Sequence, residues 1–267
     1  MRVDYHTHHY RCGHARGQMA EYIEAAIARG IDEIGLSDHG PIYHLGPNPH
    51  AAPRTAMSQH ELPNYINEMI ELRDRYKNRI TVKLGVESDA VAGWGDHFRN
   101  LWRQYPLDYV IGSIHWLGEW SIFAQRRPAE RAVESLYEDY LRGTQEAAQS
   151  GAYDIIGHLD CIKTSGHLPD RTITPLLDET VRVLAETGVA VELNTSGWRK
   201  SICECYPRHE LLERCHHWGV PVTLGSDAHE PDHVGCQFDE AVALLKEIGY
   251  REIATFTQRQ RKMMPLD

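Results

Sequence analysis

The stretch MAEYIEAAIARGIDEIGLSDH, residues 19–39, decides how the chain is read. Its first half has the apolar spacing of a helix over 19–29, and Gly30 closes that helix as a cap. An apolar, strand-like run at 33–37 follows at once and ends in Ser37-Asp38-His39. Helix, glycine and strand recur in that order at Thr187-Gly188-Val189, Trp218-Gly219-Val220 and Ile248-Gly249-Tyr250. Working outward, strands are expected at 3–6, 33–37, 81–87, 109–115, 155–158, 189–194, 222–226 and 252–256. Helices are expected at 19–29, 62–76, 129–150, 175–187, 208–218 and 238–248. Short strands separated by crossover helices imply a parallel sheet, and at this length its economical closure is a TIM-like α/β barrel. No Pro/Ser-rich linker, charge block or repeat divides the sequence, so a single domain over 1–267 is expected. The longest aperiodic stretches, 40–57 and 116–128, follow strands, where the active-site loops of a barrel lie.

The 267 residues hold 28 Lys and Arg against 38 Asp and Glu, a net charge of -10, with 17 His beside 4 Phe. Hydrophobic residues make 42% and charged residues 25%, a globular balance that excludes disordered and fibrous classes. The acidic balance and the lack of a basic stripe argue against partners that are nucleic acid or anionic membrane, which are held by Lys and Arg. The first residues lack a cationic flank before an apolar run, so no signal peptide is expected, and no run reaches the ~18 apolar residues of a membrane span. Six scattered cysteines without a CxxC pair read as reduced thiols of a cytoplasmic protein. Cys203 and Cys205 form a lone C-x-C, which lacks the second pair of a structural zinc site.

In a parallel barrel the chemistry sits at the carboxyl ends of the strands. Here those ends read Asp4-Tyr5-His6-Thr7-His8, Ser37-Asp38-His39, Gly85-Val86-Glu87, Gly112-Ser113-Ile114-His115, Gly157-His158-Leu159-Asp160, Glu192-Leu193-Asn194-Thr195 and Gly225-Ser226-Asp227-Ala228-His229. Residues two apart on a strand share a face, so His6 with His8, and Asp227 with His229, each present two donors to one side. His14, in Cys12-Gly13-His14, can reach the same cleft. The candidate donors are therefore His6, His8, His14, His39, Glu87, His115, His158, Asp227 and His229. Nine donors exceed one ion's needs and imply two or three. Imidazole and carboxylate ligands suit zinc, manganese or iron better than calcium or magnesium. Of the other histidines, His9, His50, His60, His97, His167, His209, His216 and His217 are expected to be ordinary surface residues. His44 and His233 follow ligands in post-strand loops and could face substrate.

These motifs, from His6-Thr7-His8 through Ser226-Asp227-Ala228-His229, resemble in order and spacing those of the polymerase and histidinol phosphatase (PHP) family, nearly end to end. The stretch Glu192-Leu193-Asn194-Thr195-Ser196-Gly197-Trp198-Arg199-Lys200, with Tyr206-Pro207, is similar to its histidinol-phosphatase branch. The resemblance implies a distorted (β/α)7 barrel, three divalent metal ions and hydrolysis of L-histidinol phosphate for histidine biosynthesis. It makes 252–256 a terminal strand appended to seven βα units. By position, it assigns His6, His8, Glu87 and Asp227 to one ion. Glu87 would bridge to a second held by His115 and His158, and His14, His39 and His229 would hold the third.

A cluster of dications supplies a hydroxide at neutral pH and offsets phosphoryl charge. Glu87 and Asp227 are thus expected in catalysis, with Asp227 or His44 as proton donor. Arg199 and Lys163, with Ser196 and His233, are the candidates for holding phosphate or substrate. Asp4, Asp38 and Asp160, each beside a ligand, are candidate partners for the ligand imidazoles. Alternative readings are another phosphoesterase acting on nucleotides, phosphotyrosine or other small phosphomonoesters, and a metal-binding protein without turnover. A metal-dependent amidohydrolase shares the H-x-H opening but typically bridges its ions with a strand-end Lys, where this chain has Glu87.

Overall fold

The computed structural model describes residues 1–45, 55–124, 126–166, 168–169 and 173–266. Strands β1 (Val3–Asp4), β2 (Glu33–Leu36) and β3 (Thr81–Leu84) pair in parallel in that order. Next come β4 (Glu87–Asp89) and β5 (Ile111–Ser113), then a small hairpin of β6 (Trp116–Leu117) and β7 (Trp120–Ser121). With β8 (Ile155–Ile156), β9 (Ala190–Asn194) and β10 (Val222–Gly225) a second parallel sheet forms, in the order β10-β9-β8-β5-β4.

Two seams close these sheets into a ring. The Tyr5 amide donates to Leu224 O at 3.1 Å and Thr7 bridges Ala228, which joins β1 to β10. The Gly85 amide donates to Leu36 O at 2.9 Å and His39 bridges Glu87, so β2 pairs with β3 and then with β4. The strand expected over 81–87 is therefore one barrel strand broken at Gly85-Val86, and the ring has seven.

Helices α1 (Met19–Ala28), α2 (Glu61–Tyr76), α3 (Gly95–Trp102), α4 (Val133–Gln149), α5 (Thr174–Thr187), α6 (His209–His217) and α7 (Phe238–Ile248) follow the seven strands in turn. The architecture is a distorted (β/α)7 barrel. The short α3 was not expected from the sequence; it buries only Phe98 and Trp102, too few positions for a clear period. Among the described residues no helix is long and apolar enough to cross a membrane.

The run at 252–256 is not a barrel strand. It forms β11 (Glu252–Thr257), paired antiparallel with β12 (Gln260–Pro265). Gln258 and Arg259 turn this hairpin with φ of 51° and 64°, a left-handed pair that usually calls for Asn and Gly. The missing turn residues hid β12 from the sequence reading. The amides of Gln258 and Arg259 donate to Asp108 Oδ1 and O at 3.0 and 2.9 Å, and the Arg259 guanidinium reaches Asp154 and Ala152 O. Since Asp108 precedes β5 and Asp154 precedes β8, the hairpin closes the amino-terminal end of the barrel.

Among the described residues, the opposite end is thereby left as the open mouth of the ring. Within the barrel, Tyr5 stacks on Tyr109 at 4.8 Å with Phe256 at 6.2 Å from Tyr5. Full burial of a Phe-sized side chain contributes roughly 1.5–3 kcal/mol. The Tyr109 phenol occupies the space a Cβ at Gly35 or Gly85 would need, which is why small residues stand at those strand positions.

Candidate metal centre

The carboxyl ends of the strands bring the nine expected donors to one place, around Glu87 at the start of β4. Glu87 Oε1 lies 3.1 Å from His158 Nε2 and 3.3 Å from both His6 Nε2 and His115 Nε2. Its Oε2 lies 2.8 Å from His39 Nδ1 and 3.6 Å from His8 Nε2. Asp227 Oδ1 lies 3.2 Å from His8 Nε2, 3.5 Å from His229 Nδ1 and 3.9 Å from His6 Nε2. His14 Nε2, on the exposed loop after β1, is 2.9 Å from His229 Nε2. Both His158 and Asp227 have left-handed backbones, with φ of 23° and 51°, a strain typical of functional positions.

Among the described residues, three overlapping groups have the ligand spacing of a metal site: His6, His8 and Glu87; His39, Glu87 and His115; and His8, His39 and His229. His8 and His39 each belong to two groups, so the donors are shared more widely than the resemblance implied. His6 Nε2, His8 Nε2 and Glu87 Oε2 are buried and make no well-aligned hydrogen bond, although His39 Nδ1 lies 2.8 Å from Glu87 Oε2 and Asp227 Oδ1 3.2 Å from His8 Nε2. An unsatisfied buried polar atom costs about 1–3 kcal/mol, and a shared cation satisfies all three at once. The residues therefore fit divalent metal ions. None of the three groups includes a cysteine; Cys203 is exposed and Cys205 buried.

Burial opposes ionisation of Glu87, yet the imidazoles of His39, His6 and His115 hold it well below the usual carboxylate range. Asp227 is likewise held well below that range against its burial, by His6, His8 and Lys200. Burial pushes His39 down to about 4 and His229 down to about 2, so both present the neutral ring that ligates metal. His115 is pushed the other way, to about 10, because Glu87 and Asp89 outweigh its burial.

Outside this cluster the expectations divide. A cleft of about 400 Å³ over the site is lined by Ser196, Arg199, Lys200, His233 and Phe123 together with seven of the nine donors. The Arg199 guanidinium donates to Ser226 O at 2.6 Å and Thr195 Oγ1 at 3.3 Å, and Ser196 Oγ donates to Asp227 Oδ2 at 2.9 Å. Lys163 does not line the cleft. Its buried ammonium is held by Cys205 O at 2.7 Å, Asp160 at 3.0 Å and Glu204 at 3.2 Å. The lysine that does reach the cleft, beside Arg199, is Lys200, whose Nζ is 4.0 Å from Asp227 Oδ2. It already stood in the motif around Arg199, but in sequence nothing separates it from a solvated lysine.

His44 also fails to reach the cleft. Its ring packs on Trp116 at 5.9 Å, with Nδ1 3.9 Å from Asp89. His9 is buried against Asp38 at 2.9 Å and is no surface residue, whereas His60, His97, His209 and His217 are exposed and His216 is half-buried. His50 and His167 lie outside the described residues.

Of the expected imidazole partners, only Asp38 meets a ligand ring, His8 Nδ1 at 3.4 Å. Asp4 accepts the backbone amides of Ser226 and Gly235, and Asp160 accepts from Lys163 and the Arg208 amide. The carboxylates that the sequence reading missed are Glu192, 2.7 Å from His6 Nδ1, and Asp89, 2.8 Å from His115 Nδ1. Asp89 stands two residues after Glu87 and Glu192 two before Asn194, so the strand period was the available signal.

The PHP domain family profile matches residues 4–196, which include seven of the nine donors. A probable histidinol-phosphatase of Deinococcus radiodurans is 38% identical over 98% of each chain. The histidinol-phosphatase of Lactococcus lactis is 26% identical, over 96% of this chain and 94% of its own. In structure, the chain resembles histidinol phosphate phosphatase from Lactococcus lactis, solved with zinc, L-histidinol and phosphate. That likeness has a TM-score of 0.83 and 25% identity and covers 98% of each chain. With its barrel, its strand-end donors and these matches, the chain belongs to the PHP family.

Proposed function

We propose that the protein is a metal-dependent phosphomonoesterase that hydrolyses L-histidinol phosphate to L-histidinol and phosphate. The observation that carries this reading is the convergence of nine imidazole and carboxylate donors on one barrel mouth, with three buried donor atoms unsatisfied and a cationic rim beside them. The histidinol-phosphatase names of the relatives, and the ligands of the Lactococcus structure, support the substrate. His6, His8, His14, His39, Glu87, His115, His158, Asp227 and His229 would hold three ions of zinc, iron or manganese. The proposed setting is a single-domain enzyme of the cytoplasm.

Bound there, the ions would lower the pKa of a water and offset charge on the phosphoryl oxygens. The remaining work falls to the chain. Arg199 and Lys200 bring positive charge to the cleft of an acidic protein, with Ser196 and His233 offering further polar contacts. Asp227 borders the cleft, so it would take up the proton released by the attacking water and pass it to the leaving oxygen of histidinol.

The test is phosphate release from L-histidinol phosphate, nucleoside monophosphates and phosphotyrosine, with metal content measured on the same sample. Preference for histidinol phosphate is the expected outcome. Preference for another ester would favour a different phosphomonoesterase, and bound metal with no release from any ester would favour a metal-binding protein.

A further inference from the structure

Glu192 is 1% exposed and sits in β9, beneath the donors and two residues before Asn194. Its two oxygens face different strands. Oε1 is 2.7 Å from His6 Nδ1, whereas Oε2 accepts the His158 amide at 2.9 Å and Asn194 Nδ2 at 3.1 Å. Asn194 Nδ2 is in turn 3.4 Å from Asp227 Oδ2, and its Oδ1 accepts the Ser196 amide at 2.9 Å. Gly225 makes room for this arrangement, because a Cβ there would overlap the Glu192 carboxylate. One buried side chain thus touches the turns after β1 and β8 and Asn194 of its own strand, through which it reaches Asp227.

We infer that Glu192 is the positioning residue of the metal centre, setting the tautomer of His6 and the turn that presents His158. This rests on the proposal that His6 and His158 ligate metal. A carboxylate only accepts hydrogen bonds, so it keeps the His6 proton on Nδ1 and leaves Nε2 bare. That bare nitrogen is the one 3.3 Å from Glu87 and 3.9 Å from Asp227. At His158 the left-handed backbone points the amide at Oε2. Glutamine has the same shape but one donating end. With its oxygen on the His158 amide, its NH2 faces His6 Nδ1 and drives the proton to Nε2, which blocks ligation there. Turned round, the NH2 opposes both the His158 amide and Asn194 Nδ2.

The experiment compares zinc stoichiometry and affinity of the full chain with Glu192→Gln, His6→Ala and the double variant, with circular dichroism reporting the fold. We expect Glu192→Gln to weaken one class of zinc sites about tenfold to a hundredfold, the range for losing an outer-shell partner. The loss should not add to that of His6→Ala, because both act through one ring; a merely structural role would add. Independently of any variant's folding, long-range proton–nitrogen NMR of the zinc-loaded native protein should show His6 protonated at Nδ1, the ring assigned by its loss in His6→Ala. Unchanged zinc binding in Glu192→Gln, full additivity, or a His6 protonated at Nε2 would overturn the inference alone. A native protein that binds no zinc, manganese or iron would overturn the underlying metal reading with it.

Discussion

Replacing Glu87 by Gln removes one charge and almost no volume from the point where five imidazoles converge. The carboxylate lies 2.8 to 3.6 Å from nitrogens of His39, His158, His6, His115 and His8. Unit charges ~4 Å apart at an effective dielectric of ~20 interact by about 4 kcal/mol. Losing a single such interaction with one cation lowers affinity about a thousandfold, at 1.4 kcal/mol per decade. Because a dication carries two charges and Glu87 is proposed to bridge two ions, that figure is a lower bound. Glu87→Gln should therefore lose at least one ion per chain on dialysis, read by mass spectrometry, and lose at least about a thousandfold in turnover of L-histidinol phosphate. Circular dichroism in the presence of chelator separates loss of metal from loss of fold. A Glu87→Gln protein with its full metal content and turnover within about tenfold of the native enzyme would refute the reasoning.

Lys200→Ala removes the exposed cation of the cleft; charge-assisted contacts of about 1.5–3 kcal/mol, reduced by solvent, predict roughly a tenfold loss in kcat/KM by steady-state assay, and no loss would remove Lys200 from phosphate binding. Lys163→Ala should do the reverse, because it leaves Asp160 without its buried partner: about 3–5 kcal/mol of stability lost in urea denaturation, with kcat/KM of the folded fraction near native. Asp89→Asn takes the carboxylate from His115 Nδ1 and should weaken metal binding about tenfold to a hundredfold in a competition assay with a chelating dye. Gly225→Ala places a methyl on the Glu192 carboxylate, and overpacking of that kind should lower stability by at least about 1–3 kcal/mol in thermal or urea unfolding.

Much of the barrel was legible because its signals are local. Glycine caps at Gly30, Gly188, Gly219 and Gly249 mark where helices yield to strands, and each cap needs only its own neighbours. The polar strand ends His6, His39, Glu87, His115, His158 and Asp227 stood out because a buried, apolar strand has no reason to end in an imidazole or carboxylate except at the mouth of a barrel. Where the local signal was weak, the reading strayed. The hairpin after Thr257 turns on Gln258 and Arg259, which carry none of the usual turn chemistry, so no local signal marks β12, and only the resemblance sets β11 apart from the barrel strands.

Periodicity alone expected eight strands where the ring has seven, but by itself the sequence determined the alternation of strand and helix and the residue types at the strand ends. Those follow from periodicity, capping and donor type, which depend on residues near in the chain. Which cation enters the cleft and which carboxylate holds which ring were decided only by tertiary structure. Lys163 and Lys200 are indistinguishable as letters, but the first is folded under against Asp160, Glu204 and Cys205 O, while the second opens onto Asp227. Asp4, Asp38 and Asp160 each stand within two residues of a ligand, yet His6 takes its partner from Glu192, 186 residues away. Closing the ring sets such pairs, because it brings β9 beside β10 and β10 beside β1, and no local pattern encodes which side chains then meet across the barrel.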